Sequence, residues 1–346
     1  MSSLISISAA QRGEVNEEFE AHLIRNLPVI VLSPHNRCNC RCMMCDIWRI
    51  QESRNVTPED LQPHLSQFRK LGVKWVVFSG GEPQLNPQWS ELAGSLRNQG
   101  IRVTILTAGL LLESEAAMVA ASVDDIIVSL DGPAEVHNRI RRVAGAFEKI
   151  AAGISALRKI RPEIPIRARC TVQKANHLSL RETVQAAIGL GLNSISFLAV
   201  DASSGAFNRE SGWPEKQQER VLLNGEEVEH LDYEVEHLIC EYGLELQSGF
   251  VTEKPEKLRK IVRHFRAYLG TDRHVAPRCN APWVSAVIEA SGEVRPCFFH
   301  PSIGNIHRQE LPEILNGEKA LRFRASLDIA NDPICRKCVC SLYLPR

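Results

Sequence analysis

Val29-Ile30-Val31-Leu32-Ser33-Pro34-His35-Asn36-Arg37-Cys38-Asn39-Cys40-Arg41-Cys42-Met43-Met44-Cys45 carries a short apolar run directly into a loop of cysteines. Cys38, Cys42 and Cys45 stand in the spacing C-x3-C-x2-C. A structural zinc or a fully ligated iron–sulfur cluster takes four protein ligands. Three thiolates on one loop would hold a [4Fe–4S] cluster with one iron open to a substrate or cofactor. The competing reading is zinc, with His35 or Cys40 as a fourth ligand.

Outward from this loop, apolar runs alternate with helix-length stretches up to residue 200. After Val29–Leu32 the runs are Trp75–Phe78, Val103–Leu106, Ile126–Val128, Arg167–Val172 and Ile195–Leu198. Near-continuous apolar runs read as strands of a parallel sheet covered on both faces. Thr57-Pro58-Glu59-Asp60 opens the first helix with a capping hydroxyl, a proline at the first helical position and an acid at the third. A second helix, 145–160, gathers Phe147, Ile150, Ile154 and Leu157 on one face. Six strands, each followed by a helix, predict an α/β barrel or part of one. Chemistry in such folds sits beyond the carboxyl ends of the strands, where the cysteine loop lies.

One strand later comes Ser79-Gly80-Gly81-Glu82-Pro83. Two glycines permit close backbone approach, and the carboxylate beside them can receive an ammonium group. With the cysteine loop, this turn resembles the radical S-adenosylmethionine (radical SAM) superfamily. The resemblance implies a partial (β/α)6 TIM-like barrel and SAM chelated on the open iron by its amino and carboxylate groups. Gly80, Gly81, Glu82 and Pro83 would form the turn that holds the amino group. Reductive cleavage of SAM would give a 5′-deoxyadenosyl radical that takes a hydrogen atom from the substrate. Met44 stands where the family usually has an aromatic residue. Cys40 is off the ligand pattern and is expected to point away.

Ser129-Leu130-Asp131-Gly132-Pro133, followed by His137 to Arg141, is similar to a segment in family members with a C-terminal SPASM or twitch subdomain. By that likeness Ser129 and Arg141 contact the ribose and carboxylate of SAM. A guanidinium fork suits a carboxylate. Thr107 ends the third strand as a further cofactor contact, and Leu198 on the sixth is a candidate adenine contact or a core residue.

Cys279-x12-Gly292-x4-Cys297, then Cys335-x2-Cys338, matches the shortened twitch pattern. A hairpin over 284–295 would bring Cys279 and Cys297 together, and the C-x2-C turn would supply two more thiolates. Four thiolates close a second [4Fe–4S] cluster; a four-cysteine zinc ribbon is the alternative. Cys340 either replaces Cys338 or is spare. The predicted organisation is an N-terminal extension (1–27), the barrel core (28–200), a helical connecting region (201–276) and a small α+β twitch/SPASM subdomain (277–346). The connecting region lies outside the resemblance. Its second helix carries Lys254, Lys257, Arg259, Lys260, Arg263 and Arg266. That basic face is either simply solvated or a dock for an acidic electron donor or an anionic substrate.

Lys+Arg and Asp+Glu balance at 41 each, so a basic excess for nucleic acid is lacking. No apolar run reaches the ~18 residues of a membrane span, and the amino end lacks the apolar core of a signal peptide. These features predict a cytoplasmic protein whose 11 cysteines are thiols or metal ligands. The resemblance adds a reductant such as flavodoxin or ferredoxin. The expected activity is oxidation or another radical modification, epimerisation and cross-linking included, of a small polar metabolite such as a sugar or cyclitol. The alternatives are a peptide or protein side chain as substrate, and a zinc-bound scaffold without catalysis. Two features favour the small molecule. Phe298 stands where sulfatase-maturing relatives have an aspartate. With 37 residues before Cys38, a leader-binding domain is expected to be a separate protein. Asp201 beyond the sixth strand is a candidate base, Cys170 a hydrogen-atom donor or a core residue, and Asn208-Arg209-Glu210 a candidate site lining.

Overall fold

The computed structural model describes residues 19–209 and 212–345. Six strands, β1 Val29–His35, β2 Trp75–Gly80, β3 Arg102–Thr107, β4 Asp125–Ser129, β5 Ile166–Val172 and β6 Ser194–Ala199, pair in parallel in chain order. Helices α1 Pro58–Lys70, α2 Trp89–Arg97, α3 Ala116–Ser122, α4 Ala134–Arg141, α5 Ala146–Ile160 and α6 Leu180–Gly189 lie between and after them. This is a partial α/β barrel.

The apolar residues of the strands divide between two faces. Ile30, Leu32, Val76, Phe78, Ile105, Ile126, Val128 and Phe197 are buried in the core, while Val31, Val77, Leu106, Ile127, Arg169 and Leu198 on the other face are half-buried. The second face lines the lumen, which is open because the barrel does not close. Removing a side chain such as Phe78 from water contributes ~1.5–3 kcal/mol, so the outer face carries much of the stability. At the start of α1, Thr57 Oγ1 accepts from Asp60 N at 3.2 Å and Asp60 Oδ2 accepts from Thr57 N at 2.8 Å. Such a cap is worth ~1 kcal/mol.

The C-terminal hairpin is not a separate sheet. Its first strand, β7 Ser285–Ile288, pairs in parallel with β1, Val29 opposite Ser285 through Leu32 opposite Ile288. The antiparallel strands β8 Glu293–Arg295 and β9 Gly304–Asn305 extend the edge, giving the order β6-β5-β4-β3-β2-β1-β7-β8-β9. Between β6 and β7 run the long helices α7 Gly225–Glu241 and α8 Pro255–Tyr268. Helices Leu311–Asn316 and Glu318–Ser326 then lead to the last cysteines. Among the described residues no helix is long and apolar enough to cross a membrane.

Candidate active site and its two cysteine clusters

The cysteine loop leaves β1 and is fixed from three sides. Arg41 N donates to Arg141 O at 3.1 Å and Met43 N to Ile140 O at 3.0 Å, tying the loop to the end of α4. The chain can turn there because Arg142 adopts a left-handed conformation (φ 54°). From the β2 end, Gly81 N donates to His35 O at 3.1 Å and Glu82 N to Arg37 O at 2.8 Å. A Cβ on Gly81 would sit 2.0 Å from Arg37 O, and Gly80 has φ +88° with Ser33 against it. Both glycines are therefore demanded by the close approach of the two loops. From the β6 end, the buried Arg209 donates to Met44 O and to Asp201 O, the latter at 2.8 Å.

All 11 cysteines are free thiols. Arg141 Nη1 approaches Cys42 Sγ at 3.5 Å, and Cys40 N approaches Cys38 Sγ at 3.5 Å. The Cys40 hydrogen bond, then Arg141, holds the Cys42 thiol down at about 6 against the effect of burial. Burial pushes Cys45 up to about 12. Cys40, expected to point away, is fully buried against Cys42 and Ala108. With its side chain hydrogen-bonded to Cys38 and Cys42, it packs the loop from inside.

Glu82 is buried beside this loop. Its Oε1 accepts from Thr107 Oγ1 and its Oε2 from Ala108 N, each at 2.8 Å. Burial raises its carboxyl to about 7. Thr107 stands behind Glu82 and positions it. A carboxylate has about four acceptor sites, so capacity remains for an ammonium group beyond the bonds from Thr107, Ala108 and the Gln84 backbone.

Arg141 gives Nε and Nη2 to Asp131 Oδ2, both at 2.7 Å. Asp131 is fixed in turn by Thr171 N at 3.1 Å. Ser129 lies on the lumen face opposite Arg169 in the β4–β5 register. The buried Nε of Arg169 has no hydrogen-bond partner. Sequence reading missed Arg169, although Arg167 and Arg169 alternating in a core strand were its visible signal.

Asp201 does not serve as the free base expected at the mouth. It is buried, 3.2 Å from Arg209 Nη1, and accepts from Ser204. It anchors the loop that crosses the cysteines. Arg209 also stacks on Trp213 at 3.9 Å. Asn208 and Arg209 border the mouth, and Glu210 lies outside the described residues. Cys170 is fully buried in the core, its thiol pushed up by burial.

The C-terminal thiols gather differently. Cys279, Cys297, Cys335, Cys338 and Cys340 all line one apolar cavity of about 110 Å³, floored by Val29 and Val31 of β1. Burial raises Cys297 to about 11 and Cys335 to about 12, and raises Cys338 further. The buried His300, also missed from sequence, places Nε2 3.4 Å from Cys335 Sγ.

Between the two groups lies a cavity of about 860 Å³. One wall is made by His35, Asn36 and Ile47 at the ends of the cysteine loop with Gly80 and Gly81; the other by Phe298 and Phe299, next to Cys297. Phe207 bridges them, stacked 6.1 Å from Phe298. It and Asn208 take positive φ, 60° and 64°, a conformation that bulky residues adopt only when their surroundings impose it.

Residues 32–172 match the model of the radical SAM superfamily, and residues 279–339 that of an iron–sulfur cluster-binding domain of SPASM type. The chain belongs to the radical SAM superfamily. Over 296 residues it is 26% identical to an AdoMet-dependent heme synthase of Methanosarcina barkeri, covering 82% of this chain and 81% of that protein. Over 289 residues it is 26% identical to the antilisterial bacteriocin subtilosin biosynthesis protein AlbA of Bacillus subtilis, covering 81% of this chain but 58% of that protein. Among solved structures, Streptococcus suis SuiB bound to precursor peptide SuiA aligns with TM-score 0.64 at 16% identity, over 94% of this chain and 75% of that one. At that identity the likeness is one of fold.

Radical SAM and SPASM domains carry SAM and two [4Fe–4S] clusters, and the donors here fit them. Among the described residues, the one group of three donors with ligand atoms within 4.8 Å of one another is His300, Asp332 and Cys335. Cys38, Cys42 and Cys45 present three thiols, one for each of three irons of a cluster. The orphaned Arg169 Nε and the spare acceptor sites of Glu82 fit a carboxylate and an ammonium.

Proposed function

We propose that this radical SAM enzyme oxidises a small polar molecule with one apolar face, as a sugar or cyclitol ring has, by two electrons. The observation that carries the reading is the 860 Å³ cavity, walled by the cysteine loop and Gly80–Gly81 on one side and by Phe298–Phe299 beside Cys297 on the other. Its volume lies within the ~300–1,000 Å³ of small-molecule sites. Phe207, Phe298 and Phe299 offer an apolar face, while Asn36, Ser204, Ser302 and the pair Glu289–Arg295 offer polar partners.

In this reading Cys38, Cys42 and Cys45 hold the catalytic cluster, and Glu82 takes the ammonium of SAM. Ser129 and the cations near it, Arg169 and Arg141, take the ribose and carboxylate. Cluster and SAM together supply hydrogen-atom abstraction. Arg141 and Arg209 hold the loop in place and steady its negative charge. Cys279, Cys297, Cys335 and Cys338 hold the auxiliary cluster, positioned to receive the second electron. The work would take place in the cytoplasm with a flavodoxin or ferredoxin as reductant.

A second reading, modification of a peptide side chain, is supported by the names of AlbA, of PqqA peptide cyclase from Gluconobacter oxydans and of peptide-bound SuiB. The test is anaerobic turnover with SAM and dithionite against panels of cyclitols, sugars and peptides. A small molecule that stimulates 5′-deoxyadenosine formation and loses two hydrogens supports the first reading. Stimulation by peptides alone replaces it with the second.

A further inference from the structure

The basic residues of α8 divide into two sets. Arg259 pairs with Glu236 at 2.6 Å and Arg266 with Asp232 at 2.8 Å, so both tie α8 to α7. Lys260 and Arg263 have no ion-pair partner among the described residues, nor does Arg273. These three face a groove of about 370 Å³, joined by Lys257, Arg278 and Arg336. The one acid on the groove is Asp272, and Lys257 is paired with Glu253 at 3.2 Å, so the lining carries five further cations against one anion in a chain of zero net charge. All six cations are exposed, as is Val275 among them, 80% accessible. An exposed cationic rim around an exposed apolar residue is the anatomy of a protein-docking surface rather than of an enclosed anion site.

The position of the groove names the partner. The cavity of C-terminal thiols shares Phe298, Phe299 and Ile334 with the 860 Å³ cavity on one side, and Pro277 and Cys338 with the basic groove on the other. Substrate space, auxiliary thiols and basic groove therefore follow one another without a gap. Resting on the proposed two-electron oxidation, we infer that the groove seats an acidic one-electron carrier protein of the flavodoxin or ferredoxin kind, which takes up the electron that leaves by way of the cluster the auxiliary thiols would hold. The balance closes. The substrate radical loses one electron and one proton to become the oxidised product; the proton passes to water in the solvent-connected cavity, and the oxidised carrier gains the electron. Cys338 lines the groove wall, so a carrier seated there lies against a ligand of the cluster it serves.

The probe is an oxidised, acidic bacterial flavodoxin titrated into the cluster-loaded full chain, followed by calorimetry at low and high salt. One variant carries Lys260→Glu, Arg263→Glu and Arg273→Glu. A control carries Lys70→Glu, Lys149→Glu and Lys159→Glu, the same change of charge on the helices of the barrel. The groove variant is expected to weaken binding by about tenfold or more and to flatten its salt dependence, while the control changes it by less than about twofold. Equal losses in both variants, no loss in the groove variant, no binding by wild type, or tighter binding of a DNA duplex or anionic vesicles at the groove would each overturn the assignment. Iron content separates this from failure of the underlying reading. About eight irons per chain with no flavodoxin binding removes the dock alone, whereas about four irons in wild type removes the auxiliary cluster and the reading with it.

Discussion

The loop at Cys38–Cys45 and the pocket of C-terminal thiols use the same side chain in opposite ways. The loop takes three thiols from eight consecutive residues and gives two of them, Cys42 and Cys38, fixed guanidinium and N–H donors from Arg141 and Cys40, while burial dominates at Cys45. The C-terminal pocket draws its thiols from three distant segments and surrounds them with apolar residues, so that burial pushes Cys297, Cys335 and Cys338 up. A site that leaves one iron open must hold its negative charge with polar neighbours. A closed site can be sealed away from water and has only to pass electrons.

The largest effect that could break this contrast is loss of a cluster. Replacing Cys38, Cys42 and Cys45 by Ala should lower iron from about eight to about four per chain and abolish SAM cleavage. Iron and sulfide analysis checks it, and unchanged iron would show that the loop is not a cluster site. Next comes Arg209→Ala, which strips a buried cation from Asp201 and from the loop carbonyl of Met44. Leaving that charge unpaired costs ~3–5 kcal/mol, read as a lower unfolding midpoint in denaturant.

Glu82→Gln tests the polar side of the contrast more finely. Loss of a charge-assisted bond costs ~1.5–3 kcal/mol, so SAM binding should weaken by about ten- to a hundredfold. The pH dependence has a defined sign. Burial raises Glu82 from 4.5 to about 7, so its stabilising contribution is complete below its unfolded pKa and is lost as pH rises through about 7. SAM affinity should run the other way, rising over the same window as the carboxylate ionises, and calorimetry at pH 6 and 8 separates wild type from the variant. The smallest effect belongs to the apolar pocket. His300→Phe removes an N–H facing Cys335 and should make the auxiliary potential more negative by on the order of 50 mV, the equivalent of about 1 kcal/mol. EPR-monitored redox titration decides it; an unchanged potential leaves His300 as packing.

The same contrast governs how far the sequence could be read. Local codes were legible: the six strands, the Thr57 cap, the β7–β8 hairpin, the cysteine loop and its glycine turn all follow from neighbours in the chain. Non-local pairings were not. Nothing in Ser285–Ile288 announces that it will lie parallel to β1 and bring the auxiliary thiols over Val29 and Val31. Helix Glu318–Ser326 was likewise invisible, because its apolar stripe is weak and its burial rests on Ala320 and Arg324. Asp201 read as a base because its partner, Arg209, approaches only when the loop folds back over Met44. Cys40 read as outward because the motif says which thiols bind and not what packs between them.

The central claim is that one cluster is open and the other closed. EPR spectra of two reduced variants with and without SAM test it most directly: Cys38/Cys42/Cys45→Ala, which keeps the auxiliary site, and Cys279/Cys297→Ala, which keeps the loop. The spectrum of the loop cluster should shift when SAM is added, and that of the auxiliary cluster should not. A SAM-induced shift in the variant lacking the loop cysteines would contradict the account.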